Sequence, residues 1–373
     1  MNYLYYYSKL NIGGAERSTV RLLNLLAEHG HSVTLLLRWS GGSLENELSP
    51  AVRVIHLKQA GNGSKLHFVA ETVKSFYRAR TLRREHYDVA ISGLFGYDPG
   101  FLFKNIRSKQ YYQLLRNDVE KTGGFGKTAE YMKKYGDRFD AYIGVSEYTT
   151  ESFRRCYPDY ADRARTIYNI LPTVDVDAAR KAPDPIAEGR GRFRIVTVCR
   201  LADKAKGLFR MVDVCASLYK EFGDTFIWYI VGKGPDESEL RRRITESGLD
   251  SVMKLCGETQ DPFPYYANAD LVAVLSYNEG LCGVVNEAKI MCRPVIATRF
   301  SGIDEQITDG ENGFIVENNE SAILEKLRAI LADPTLLCDM QINGMPAVLL
   351  DNDRKIAQYE ELFQSIEKKE DKL

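Results

Sequence analysis

Two glutamates eight residues apart lie in a glycine-containing segment of the second half of the chain. They are Glu279 and Glu287, in the run Ser276-Tyr-Asn-Glu-Gly-Leu-Cys-Gly-Val-Val-Asn-Glu-Ala. Ionised carboxylates only accept hydrogen bonds, and the bonds they accept are charge-assisted, so such a pair can hold sugar hydroxyls. On spacing alone, a helix-start glutamate followed by an ordinary exposed one is an equally good interpretation.

The segments around the pair predict where it lies in the fold. The apolar run 270–276 predicts a buried strand, and 284–292 predicts a helix. Glu279 would then lie in the strand-to-helix loop, where Gly280 and Gly283 let the backbone approach a ligand, with the second acid one turn into the helix. Ligands bind at this edge of parallel α/β sheets, and a helix N-terminus there favours phosphate.

Composition narrows the class of protein. The 373 residues suit two domains, and 50 basic against 51 acidic residues predict no nucleic-acid partner. The seven cysteines are scattered without metal-like spacing. We find neither a signal-peptide pattern nor an 18-residue apolar run, and therefore expect a reduced, cytoplasmic protein.

Positive charge is concentrated between Lys65 and Arg116, where ten basic residues face four acidic ones. One interpretation is a cationic face for anionic lipid, giving a peripheral contact with the inner face of the membrane, or for an acceptor carrying phosphate. The other is a solvated helix face.

Each half alternates short apolar runs with amphipathic segments, the pattern of parallel βα units. We therefore predict an α/β protein with two Rossmann-like, doubly wound domains. Ser146 is a candidate N-cap for a helix over 147–155. The predicted strands are 4–7, 32–37, 53–57, 89–93, 110–115, 141–145, 194–198, 226–231, 251–256, 271–275, 294–297 and 313–316.

The domain boundaries are predicted from the point where this alternation of strands and helices is interrupted. Residues 172–192 are rich in proline and glycine and predict a linker between domains over 1–171 and 193–350. Residues 351–373 contain a predicted helix over 356–372, which we expect to pack back toward the N-terminal domain.

A glycine pair and a basic loop follow the first strand of each half. The free amides at Gly13 and Gly14 suit phosphate, although a plain tight turn is equally consistent. Arg200 with Lys204 or Lys206 suits a diphosphate leaving group, whose developing charge must be neutralised; a solvated basic loop is the alternative. No G-x-G-x-x-G fingerprint is present, which argues against a nicotinamide dehydrogenase.

Taken together, these segments resemble the retaining GT-B glycosyltransferases of family 4. The acid pair with its glycines, the basic loop, Val231-Gly-Lys-Gly234, Arg293-Pro-Val-Ile-Ala297 and Asp309-Gly-Glu-Asn-Gly313 occur in the family's order. The resemblance implies two Rossmann-like domains facing across a cleft. It also implies transfer of a hexose or N-acetylhexosamine from a nucleotide diphosphate sugar, UDP by family habit, to a cell-surface glycan or lipid-linked oligosaccharide. No metal and no cofactor are implied.

The resemblance also assigns roles to residues. Arg200 and Lys206 would hold the donor diphosphate, Glu287 the ribose and Glu279 the hexose. The other implied donor-binding residues are Gly13, Gly14, Gly232, Cys256, Gly257, Gly280, Leu281, Cys282, Gly283 and Val284.

Two departures from the family pattern leave questions open. The arginine-to-lysine spacing is one residue longer than usual, which makes Lys204 a rival to Lys206. The family commonly places a histidine where this chain has Arg116, and arginine cannot act as a base at neutral pH. The role could pass to Asp118 or another acid, catalysis could depend on electrostatics, or the chain could be a weakened member. A nucleotide-sugar-binding partner subunit and a GT-B-fold epimerase therefore remain as alternatives.

Overall fold

The computed structural model describes residues 1–59, 65–121, 125–338, 340 and 345–370. The chain forms two compact units, unit 1 over Met1–Ile170 with Asp351–Leu373, and unit 2 over Leu171–Leu350. Each unit contains a parallel sheet with interleaved helices, so the predicted α/β class with two Rossmann-like units is confirmed.

Unit 1 has a seven-stranded sheet in the order β3-β2-β1-β4-β5-β6-β7. Its strands are β1 Asn2–Tyr7, β2 Ser32–Trp39, β3 Val52–Lys58, β4 His86–Ser92, β5 Arg107–Leu115, β6 Ala141–Gly144 and β7 Ala164–Thr166. Its helices are α1 Gly14–Glu28, α2 Lys65–Leu82, α3 Gly100–Asn105, α4 Phe125–Tyr135, α5 Glu147–Cys156 and, from the C-terminal segment, α14 Asn352–Glu370.

Unit 2 has a six-stranded sheet in the order β10-β9-β8-β11-β12-β13. Its strands are β8 Phe193–Val198, β9 Phe226–Val231, β10 Met253–Gly257, β11 Leu271–Val274, β12 Val295–Thr298 and β13 Phe314–Val316. Its helices are α6 Val176–Lys181, α7 Asp203–Lys206, α8 Leu208–Phe222, α9 Glu237–Glu246, α10 Phe263–Ala267, α11 Gly283–Ile290, α12 Glu320–Ala332 and α13 Ala347–Leu350.

Helices cover both faces of each sheet, and this burial explains why the apolar runs form strands. All six residues of β9 are buried, as expected for a parallel strand covered on two sides. In each sheet the strand order reverses beside the first strand, between β1 and β4 and between β8 and β11. Such a reversal opens a crevice at the carboxyl ends of the strands, so each unit has one position suited to a ligand.

Two segments differ from a simple two-domain division. Residues 172–192, expected as a linker, contain α6 and belong to unit 2, where Ile186 is fully buried in the core. Helix α14 belongs to unit 1, where Tyr359 and Phe363 are buried and Gln110 Nε2 donates to the Phe363 carbonyl at 3.0 Å. The predicted helix end at Lys372 lies outside the described residues.

Candidate active site

The two glutamates of the acid pair lie in unit 2, after the carboxyl end of β11. Glu279 is in the loop between β11 and α11, and Glu287 is four residues after the first residue of α11. Both are largely removed from solvent, with 16% of the Glu279 side chain and 7% of Glu287 exposed. Acids buried to this degree need polar partners, and each has one.

Glu279 is held by a cation and a hydroxyl. Lys206 Nζ forms an ion pair with Glu279 Oε1, and Ser276 Oγ donates to the same oxygen at 2.8 Å. Burial acts to lower the pKa of Lys206, but the Glu279 carboxylate outweighs it and raises that pKa above its usual range. Lys204 is exposed, so the lysine beside the acid is Lys206.

The basic loop and the acid loop are also joined through their backbones. The Tyr277 amide donates to the Ala205 carbonyl at 2.8 Å. Gly207 follows α7 with φ +65°, and a Cβ there would lie 2.7 Å from the Leu275 carbonyl oxygen, so only glycine fits. The Arg210 guanidinium lies 4.0 Å from the centroid of the Tyr277 ring and covers the place where the two loops meet. The two loops therefore form one structural piece.

Glu287 is oriented by a buried tyrosine. Tyr266, at 0% exposure on α10, donates its hydroxyl to Glu287 Oε2 at 3.1 Å. A carboxylate held in this way keeps a fixed direction and can still accept further hydrogen bonds.

The glycine turns at the ends of β9 and β10 bring the backbones of neighbouring loops together. A Cβ on Gly232 would lie 1.8 Å from the Cys199 carbonyl oxygen, and the Gly232 amide donates to the Gly257 carbonyl at 2.7 Å. Glycine is therefore required by loop packing rather than by a ligand. Arg200 sits on the loop that this packing supports, and its exposed side chain forms no hydrogen bond or ion pair with the described residues.

Gln306 is a residue that the sequence did not single out. Its side-chain oxygen accepts from the Cys282 amide at 3.0 Å, and its nitrogen donates to the Cys282 carbonyl at 2.8 Å and to Asn286 Oδ1 at 2.7 Å. These bonds fix the start of α11, and with it Gly280, Leu281 and the first-turn residues Gly283 and Val284. Gln306 is 24 residues from Cys282 in the chain, and no local pattern relates them.

The cysteines around this region are not nucleophiles. Burial raises the pKa of the Cys199 and Cys282 thiols to about 12, and that of Cys256 to about 11. All three remain protonated at neutral pH, and a neutral thiol is a poor nucleophile.

Arg116 lies in unit 1 directly after β5, beside the reversal in strand order. Its Nη2 donates to the Tyr5 hydroxyl at 2.8 Å and to Thr19 Oγ1 at 2.9 Å, and its Nε donates to the Gly93 carbonyl at 3.3 Å. Burial acts to lower its pKa, but the neighbouring hydroxyls of Tyr5 and Tyr7 raise that pKa above its usual value. The guanidinium is therefore a fixed, permanently charged group and not a base.

Asp118, the other candidate in this loop, is 2% exposed. Its Oδ1 accepts from Ser152 Oγ at 2.7 Å and from the Glu120 amide at 3.0 Å, and Lys121 Nζ lies 3.9 Å from Oδ2. These contacts hold the loop against α5. They give Asp118 a structural role, and its role as a proton acceptor for a substrate stays a prediction.

The glycine pair of unit 1 carries a carboxylate of its own. A Cβ on Gly13 would lie 2.3 Å from Glu16 Oε2, whereas nothing lies within 4 Å of one on Gly14. Glu16 Oε1 accepts from the Tyr7 hydroxyl at 3.3 Å. A negative charge therefore already lies at the start of α1, where phosphate was expected.

The basic region contributes to a cavity at the opposite, amino-terminal edge of the unit 1 sheet. The cavity has a volume of about 770 Å³, and its lining includes Arg83, Lys104, Arg107 and Lys109 with one acid, Asp88. Phe103 and Tyr111 also line it. The side chains of Lys65, Phe68 and Phe76 lie outside the described ones.

Two family models match the chain, one in each half. The model for "Glycosyltransferase Family 4" matches residues 12–174, and that for "Glycosyl transferases group 1" matches 192–333. The chain belongs to glycosyltransferase family 4. The predicted resemblance is therefore confirmed.

Two curated relatives of this family 4 chain are a mannosyltransferase and a lipopolysaccharide core biosynthesis enzyme. A GDP-mannose-dependent α-(1-6)-phosphatidylinositol monomannoside mannosyltransferase of Mycolicibacterium smegmatis is 29% identical, over 57% of this chain and 58% of the relative. The lipopolysaccharide core biosynthesis glycosyltransferase LpsE of Rhizobium meliloti is 25% identical over 87% of each chain.

Solved structures share the fold. Anabaena Alr3699/HepE in complex with UDP and glucose matches with a TM-score of 0.78 at 18% identity, over 98% of this chain and 100% of that one. Among the helices of the described residues, none has the length and apolar character needed to cross a membrane.

Proposed function

We propose that this family 4 member is a retaining glycosyltransferase that uses a UDP-sugar. It transfers a hexose or N-acetylhexosamine to a cell-surface glycan or lipid-linked oligosaccharide and requires no metal ion. The observation that carries the proposal is the contact between Lys206 and Glu279 at the carboxyl end of the unit 2 sheet.

Donor binding follows from the charges in unit 2. Arg200 is exposed and unpaired among the described residues, and Lys206 stays charged beside Glu279, so both can face a diphosphate. Glu287, oriented by Tyr266, accepts hydrogen bonds from the ribose hydroxyls. Glu279 has an Oε2 left to accept from the hexose, because its contacts with Lys206 and Ser276 use Oε1.

The reaction forms two bonds and breaks two, because the acceptor proton moves as well as the sugar. The acceptor oxygen bonds to the anomeric carbon on the face from which the diphosphate departs, and the carbon–oxygen bond to the diphosphate breaks. The electron pair leaves with the diphosphate, which takes up the acceptor proton. Lys206 and Arg200 lower the barrier because they stabilise this developing negative charge.

The relatives support the acceptor class. The two relatives are named for a phosphatidylinositol monomannoside and for lipopolysaccharide core biosynthesis, and the HepE structure is a complex with UDP and glucose. The basic lining of the cavity in unit 1 supports a peripheral contact with anionic lipid, where such acceptors reside.

A donor-binding experiment tests the proposal. Thermal unfolding is followed with UDP-glucose, UDP-N-acetylglucosamine, UDP-N-acetylgalactosamine and GDP-mannose. At a ligand concentration about 100 times Kd, binding stabilises the folded state by about 2.7 kcal/mol, so one UDP-sugar is expected to raise Tm clearly. Glu287→Gln should weaken that binding at least about tenfold, since it removes charge-assisted hydrogen bonds to the ribose.

The matched control is Glu325→Gln, because Glu325 is an exposed acid on helix α12 of unit 2. It should leave the shift unchanged. No response to any of the four sugars, or an equal response in wild type and Glu287→Gln, contradicts the donor assignment. Retention is checked separately by the anomeric configuration of the product in NMR.

A further inference from the structure

Hydrogen bonds hold the Arg116 side chain in a fixed position, but they involve only part of its guanidinium. Nη2 and Nε make three hydrogen bonds, to Tyr5, Thr19 and Gly93, and no described residue accepts from Nη1. The side chain is partly exposed, whereas Tyr5 and Thr19 beneath it are fully buried. The free Nη1 group therefore lies on the solvent-facing side of the rigidly held guanidinium.

Within the described part of the chain, the charge of Arg116 has no carboxylate partner. Among the described residues it forms no ion pair, and its three acceptors are two neutral hydroxyls and a carbonyl. Glu16, the acid of the neighbouring turn, instead accepts from the Tyr7 hydroxyl. A partly buried charge without a counter-ion is available to pair with the opposite charge of a ligand.

The position of Arg116 indicates what kind of ligand this is. The residue follows β5 and contacts Tyr5 of β1 and Gly93 after β4, so it lies in the crevice made by the strand reversal of unit 1. An arginine with free, pre-oriented N–H groups is well suited to phosphate, whose oxygens accept such bonds strongly.

We propose that Arg116 binds a phosphate group carried by the acceptor, and that this contact selects phosphorylated acceptors over neutral ones. This inference rests on the proposed transferase function. Arg116 would then determine acceptor specificity through its charge and would not transfer a proton.

The test uses the full chain with UDP at saturation, so that the diphosphate-binding loop of unit 2 is occupied. Calorimetry compares two pairs of probes, glucose 1-phosphate with glucose, and farnesyl diphosphate with farnesol. The first pair represents a phosphate on a sugar and the second the phosphate of a lipid carrier. Wild type should bind at least one phosphorylated probe about tenfold or more tightly than its neutral counterpart.

Arg116→Gln should remove this preference, and Arg116→Lys should retain part of it. UDP affinity should be unchanged in both variants, which shows that they are folded and that the donor site is intact. Arg84→Gln is the control, because Arg84 is an exposed arginine of unit 1 whose side chain makes no hydrogen bond or ion pair with the described residues. It should behave as wild type.

Three results would overturn the inference. One is equal binding of the phosphorylated and neutral probes by wild type, and another is a preference that survives Arg116→Gln. The third is a loss of UDP-sugar turnover in Arg116→Gln without any change in the preference, which would make Arg116 a donor-side residue. Failure of wild type to bind any UDP-sugar is a different outcome, because it contradicts the proposed function and not the role of Arg116.

Discussion

In unit 2 the cation at the sheet edge, Lys206, contacts the carboxylate of Glu279, whereas in unit 1 Arg116 contacts only neutral oxygens among the described residues. Both cations lie beside the point where the strand order of their sheet reverses. In unit 2 the charge of Lys206 is balanced by Glu279, so the basic and acidic loops are joined within the protein itself. In unit 1 the charge of Arg116 has no counter-ion among the described residues, and a ligand can provide one.

The comparison suggests that the two units prepare their sites differently. Unit 2 joins its basic and acidic loops through an ion pair and backbone hydrogen bonds, which suits a donor whose diphosphate is always present. Unit 1 fixes a cation through hydroxyl groups, which suits recognition of an acceptor by one charged group. Three further substitutions can break or sharpen this contrast.

The largest effect is expected from Lys206→Met. It removes the charge that we propose stabilises the leaving diphosphate, and it leaves Glu279 without its cation, so kcat/KM should fall by about 10²–10³-fold. Steady-state kinetics with a UDP-sugar measure this. Lys204→Met is the control, because Lys204 is exposed, and it should change kcat/KM less than about threefold. An equal loss of kcat/KM in the two variants would mean that the Lys206–Glu279 ion pair does not lie at the diphosphate site.

A smaller effect is expected from Gly232→Ala, compared with Gly14→Ala. The new methyl group would lie 1.8 Å from the Cys199 carbonyl oxygen in unit 2, but nothing lies within 4 Å of one at Gly14. Gly232→Ala should destabilise its unit by about 2 kcal/mol, because the loops must move apart. Gly14→Ala should be nearly neutral. Urea unfolding measures the change in the free energy of unfolding for each variant. Similar changes would show that the strand-end loops of unit 2 are no more tightly packed than the glycine turn of unit 1.

The smallest effect concerns pH and a feature that the units share. Burial lowers the pKa of Lys289 in unit 2 and of Lys355 in unit 1 to about 8. Since an unfolded lysine stays protonated to about pH 10.4, the unfolded state binds more protons between these values, and stability rises with pH. Wild type should gain roughly 1 kcal/mol more than Lys289→Met between pH 8 and pH 9. Denaturant unfolding at the two pH values checks this, and equal gains would show that Lys289 keeps an ordinary pKa.

Several features of the fold could be read from the sequence because they depend on local pattern. Apolar runs with glycine at their ends predicted the strands, and β9 has the predicted bounds, Phe226–Val231. Ser146 caps α5 as predicted, because its side chain accepts from the Thr149 amide at 3.1 Å. The short strand β7, Ala164–Thr166, escaped notice, since three residues with only one fully buried carry no clear periodicity.

For the site, the sequence determined which residue types could do the chemistry. The acid pair, the basic loop and the glycine turns were identifiable because their motifs are contiguous. Tertiary structure decided the partners, since these come from distant segments: Tyr266 for Glu287, and Gln306 for the start of α11. It also placed Lys206 against Glu279 and left Lys204 exposed, while the choice between them at the diphosphate, which spacing left open, stays a prediction.

The same division holds for Arg116. The sequence alone showed that a permanently charged residue stands where the family commonly has a histidine. Only the fold brings Tyr5, Thr19 and Gly93 to it, 111, 97 and 23 residues away along the chain. A motif specifies the charge of a side chain, but whether that charge is balanced depends on which distant groups the packed sheet places beside it.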